Sequence, residues 1–73
     1  MHLLQMKLGE SGVIKKINTK DKDKLELFKL GVWENSKIKY VYHSPAKFSR
    51  AFLINDSNLV VFSRDFCPFI ELM

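Results

Sequence analysis

The sequence predicts a mainly β fold: a small barrel of about five short strands, one short helix after the first strand, and a short helical turn near the C-terminus. Three observations carry this. Leu8-Gly9-Glu10-Ser11-Gly12 leads straight into the β-branched run Val13-Ile14-Lys15-Lys16-Ile17. Leu25 to Leu30 reads as a helical segment stopped by Gly31. Ser36 to His43 alternates with a period of two, the mark of a half-buried strand.

The elements follow in order. Leu3 to Leu8 is apolar enough to cover a barrel end, and Gly9 and Gly12 bracket a turn. Gly12 to Ile17 forms the first strand. Asn18 to Asp23 is turn-like, and Asp23 is the expected N-cap, with Glu26 three positions on. The helix is about two turns long, so it must pack on a sheet to persist. Leu25 and Phe28 share one face and Leu27 and Leu30 the next, which predicts a broad inward stripe.

In the Ser36–His43 strand, Ile38, Tyr40 and Tyr42 point inward, and Lys37, Lys39, Val41 and His43 point outward. Ser44 to Lys47 is a loop. Ala51–Ile54 and Leu59–Phe62 are two more strands, joined by a hairpin turn through Asn55-Asp56-Ser57-Asn58. Ser63 to Phe66 is a capped turn, Pro68 stops any helix there, and Phe69 to Leu72 is the last strand. Strands this dense predict a closed or nearly closed barrel. Ala51–Ile54 is the candidate edge for pairing between copies.

The 73 residues form one domain, 1–73, with a thin core. A single cysteine, Cys67, excludes an internal disulfide and favours a reducing compartment. The first ten residues lack the apolar stretch of a signal peptide, and no run approaches the ~18 apolar residues of a membrane span. A cytoplasmic protein without membrane insertion is expected. The net charge of +4 is spread over lysines interleaved with Asp21, Asp23 and Glu26, as on a solvated surface.

No catalytic constellation is present: there is no nucleophile elbow, no phosphate-cradling glycine loop and no Cys-x-x-Cys. The chain is not expected to be an enzyme. Cys67, between Phe66 and Pro68-Phe69, reads as a buried spacer. His2 is expected at a mobile terminus. His43 is the candidate ligand for a transient Fe²⁺ or Zn²⁺, with no resident cofactor. Trp33, in the polar turn after Gly31, is either a core lid or an exposed anchor for a partner. Phe48, among Lys47, Ser49 and Arg50, raises the same choice.

The order of these motifs resembles the FeoA family, the small partner of the bacterial ferrous iron transporter. The matching residues are Met6 to Ile14, Leu27-Phe28-Lys29-Leu30-Gly31-Val32, Ser36 to Tyr40, Leu59 to Ser63 and Ile70-Glu71-Leu72. The usual proline-glycine turn is replaced by Trp33-Glu34-Asn35-Ser36, where Asn35 tolerates the left-handed conformation. The resemblance implies an SH3-like barrel that acts without bond chemistry. It also implies transition metal ion binding, and docking to the cytoplasmic GTPase region of the membrane transporter. The same fold is expected as the C-terminal domain of iron-dependent repressors, whose DNA-binding part has no counterpart here.

The candidate partner-binding residues are Leu27, Phe28, Val32 and Trp33 near the helix end, with Phe66 and Phe69 near the C-terminus. They are chosen for aromatic density outside the strand alternation. The alternative is a small basic barrel that stacks single-stranded nucleic acid on Tyr40, Tyr42 and Phe52. The leading reading involves no nucleic acid.

Overall fold

The computed structural model describes residues 1–73. There are five strands, β1 (Ser11–Ile17), β2 (Lys37–His43), β3 (Ser49–Ile54), β4 (Asn58–Ser63) and β5 (Ile70–Leu72), and one helix, α1 (Asp21–Lys29), between β1 and β2. All pair antiparallel in one sheet of order β4-β3-β2-β1-β5. This is the mainly β, SH3-like arrangement with its helix inserted after the first strand.

The barrel is not closed by pairing of β4 with β5, so both remain sheet edges. The chain start covers part of the β5 edge: His2 bridges Glu71, and the Leu72 amide donates to the Met1 carbonyl at 2.6 Å. His2 is therefore tied into the sheet, contrary to the expectation of a mobile terminus. Its amide also donates to the Gln5 side chain, at 2.9 Å. Strand β3 lies between β2 and β4, so Ala51–Ile54 offers no free edge for pairing between copies.

The core draws on strands, turns and the connection after the helix. Leu3, Ile14, Val32, Ile38, Phe52, Ile54, Cys67 and Ile70 are fully buried. Alternation in β2 buries Ile38 and Tyr40, as expected, but Tyr42 is exposed. A register shift between Tyr40 and Tyr42 is the reason. One extra residue in the strand turns the following side chains to the other face.

Gly9 supplies the first turn with φ of 90°. Gly12 does not turn the chain; it pairs with Ile38 inside β1. A Cβ there would make ordinary contact with Leu72 Cδ1, at 3.4 Å. Asn35 holds φ of 70° and keeps the turn before β2. In the β3–β4 connection Asn55 and Asp56 are both left-handed, at φ 50° and 60°, the pair of conformations that suits a hairpin's twist.

Helix α1 starts at Asp21, earlier than expected, and Asp23 lies in its first turn instead of capping it. Lys20 occupies the cap position without a side-chain bond. Asp21 and Asp23 stabilise that end through the helix dipole instead. The other end is a Schellman stop: the Val32 amide reaches the Leu27 carbonyl at 2.8 Å and the Gly31 amide reaches Phe28 at 2.9 Å. Gly31 sits at φ of 85°. The inward stripe is narrow. Only Leu27 is buried, while Leu25, Phe28 and Leu30 are 57%, 52% and 52% exposed.

Candidate interaction site

The sequence-derived candidates gather around α1, in two roles. Leu27 and Val32 are buried and face the core. Phe28, Trp33 and Phe69 are exposed, and Phe66 is partly buried. Phe28 and Trp33 meet edge to face, with centroids 4.7 Å apart and planes at 84°. The Schellman turn creates this pairing, because it reverses the chain after Gly31 and brings Trp33 back alongside the last helical turn. Trp33 is 49% exposed and half seated on Phe28.

Beside this pair lies a cleft of about 260 Å³, lined by Ile17, Lys24, Phe28, Val32, Trp33 and Glu34. A neighbouring cleft of about 270 Å³ separates α1 from β4, with Leu27, Leu30, Phe62 and Phe66 on its walls. A third, of about 430 Å³, carries Phe66 and Phe69 against Asn18, Lys20 and Asp23. Apolar and charged side chains share the walls of all three.

One arrangement has no signal in the sequence. Tyr40, Phe52, Phe62, Phe66 and Phe69 form a continuous row of rings, with successive centroids 5.2, 5.9, 5.2 and 5.9 Å apart. The row runs from the barrel interior to the surface beside α1. Strand alternation shows that single rings point inward, but not that rings from four elements line up.

Cys67 is buried, and its thiol lies 3.4 Å from the Ser63 carbonyl. Burial pushes its pKa up, although Arg50 and the backbone pull the other way. It is a spacer, with none of the thiolate character that a nucleophile needs. His43 Nδ1 lies 2.8 Å from the Ser44 carbonyl. It shares a cavity with Lys7, Lys47 and Arg50, cations that repel Fe²⁺ or Zn²⁺. No three His, Cys, Asp or Glu side chains come together as a metal ligand set. Of the proposed base-stacking rings, Tyr40 and Phe52 are buried and only Tyr42 faces outward. Phe48 is 65% exposed, with the Arg64 guanidinium 5.4 Å from its ring centre. No helix is long and apolar enough to cross a membrane.

Comparison with known proteins places this geometry. The FeoA domain family matches residues 1–70. The solved structure of a FeoA protein from Chlorobium tepidum superposes with a TM-score of 0.90 at 19% identity, covering 99% of this chain and 68% of that one. A FeoA-like protein from Clostridium acetobutylicum gives 0.83 at 11% identity, covering 100% and 84%. A manganese-dependent transcriptional repressor gives 0.82 at 15% identity, over 100% of this chain and 40% of its own. At these identities the likeness shows the fold alone. No curated protein matches the chain.

Proposed function

The chain belongs to the FeoA family, which relates to ferrous iron transport, and from that premise we propose that it is a non-enzymatic, cytoplasmic accessory protein of ferrous iron uptake. It acts by docking to the cytoplasmic GTPase region of the membrane iron transporter. It works without a resident cofactor, and Fe²⁺ is the cargo of its partner. The observation that carries this reading is the exposed Phe28–Trp33 pair beside an apolar cleft. A pair of large rings, half out of water and rimmed by Lys24 and Glu34, is what an interface hot spot looks like before it is covered.

The test is binding of the full chain to the soluble GTPase region, read by calorimetry. Trp33→Ala is expected to weaken binding by roughly thirtyfold, about 2 kcal/mol. The substitution lies outside the core, so circular dichroism should show an unchanged fold. Unaltered affinity in a folded variant removes Trp33 from the contact surface. No binding by the native chain removes the docking role itself.

A further inference from the structure

Arg50 is the most unusual charge in the molecule. It belongs to β3 and is only 9% exposed, yet neither ion pair of the protein includes it. Its Nη1 donates to the Leu4 carbonyl at 3.1 Å, and its guanidinium carbon lies 5.3 Å from the centre of the Tyr40 ring. Its Nε is buried and has no hydrogen-bond acceptor in the protein. One carbonyl and one ring face offset only part of the desolvation of a buried guanidinium. A buried permanent cation with no ion-pair partner calls for a counter-charge beside it.

The surroundings supply a place for one. A cavity of about 310 Å³ is lined by Arg50 with Lys7, Tyr40, His43 and Lys47, closed on its apolar side by Leu4, Met6 and Leu8. No carboxylate lines it. Neither Lys7 nor Lys47 forms an ion pair elsewhere. The loop that carries Lys47 is strained: Ala46 and Lys47 hold successive φ values of 62° and 60°, where non-glycine residues are uncommon. The loop is over-determined by bonds from the Lys47 amide to the Ser44 carbonyl, 2.9 Å, and from the Ser49 amide to Ser44 Oγ, 3.0 Å. Strain maintained in this way marks a position worth holding.

We infer that the cavity formed by Lys7, Tyr40, His43, Lys47 and Arg50 binds a phosphate-class oxyanion. Three lysine and arginine cations exceed what one carboxylate neutralises. The planar guanidinium and two flexible ammonium groups suit an anion with several oxygens and more than one negative charge. The site lies apart from the Phe28–Trp33 cleft and shares no lining residue with it.

An NMR titration of the full chain decides the matter. Inorganic phosphate, methyl phosphate and acetate are added in separate series, with ionic strength held constant by sodium chloride. Phosphate should produce saturable shifts at the amides of Lys7, Tyr40, His43, Lys47 and Arg50. Methyl phosphate binding as tightly identifies phosphoryl groups on a larger ligand; binding of inorganic phosphate alone identifies the free ion. Lys7→Gln and Lys47→Gln alter exposed side chains and should keep the fold, each weakening binding about tenfold. Arg50→Lys keeps the charge but loses the fork, and should weaken binding at least as much. Three results overturn the assignment: shifts that never saturate, acetate binding as tightly as phosphate, or saturable shifts that survive the combined Lys7→Gln and Lys47→Gln substitutions.

Discussion

Strand β3 buries Ala51, Phe52 and Ile54 almost completely, whereas α1 buries Leu27 alone and leaves Leu25, Phe28 and Leu30 more than half exposed. The strand is held on both sides by hydrogen-bonded neighbours, whereas the helix is closed at its C-terminal end by the Schellman bonds and has no side-chain cap at the other. Stability is therefore concentrated in the sheet, while the helix spends its large apolar side chains on presentation. Leu27 ties the short helix to the core, and the apolar side chains left outside form an exposed patch.

The contrast can be broken at three points. The largest effect belongs to Phe52→Ala, which removes the fully buried ring between Tyr40 and Phe62 in the aromatic row. A loss of about 3–5 kcal/mol is expected, enough to unfold much of so small a protein, and urea denaturation measures it. Gly31→Ala comes next. Its φ of 85° is unfavourable for alanine, and the new Cβ would come within 2.9 Å of Asn58 Nδ2. The Asn58 amide can swing aside, so backbone strain dominates and the loss is about 1–2 kcal/mol, read from the same denaturation. Phe28→Ala is the smallest: it gives up the edge-to-face contact with Trp33 and costs about 1 kcal/mol or less in stability. Its effect on partner binding should be larger than its effect on folding. A large stability loss at Phe28 would mean that the helix belongs to the core after all.

Much of the fold is legible in the sequence, because local chemistry and global fold agree there. Gly31 stops the helix, Asn35 takes the left-handed turn, and the period-two run through Ile38 and Tyr40 buries the expected face. The misses arise where a distant element decides. The bulge after Tyr40 is imposed by pairing with β3 and turns Tyr42 outward. Gly12 lies within β1 against Leu72, a residue sixty positions away, and not in a turn. The helix gains its first turn from the dipole's preference for Asp21 and Asp23, which a search for a single cap overlooks. Around the candidate site, the residue types were legible but their burial was not: Leu27 and Val32 turn inward, and Phe28 and Trp33 outward. Arg50 gave no signal at all, since an arginine at the start of a strand is ordinarily exposed.

The hydrogen bond from Leu72 to Met1 makes this linear chain almost a ring. Residues at the two extremes of the sequence are neighbours in space, so the order in which the elements are translated is not what holds them in place. A circularly permuted chain, joined across these ends by a short linker and opened at the exposed Asn55–Ser57 turn, keeps every strand pairing except the hairpin's own covalent link. In such a chain the β3–β4 ladder would have to form without its turn, and its folding rate would reveal how far that hairpin directs the assembly of the rest.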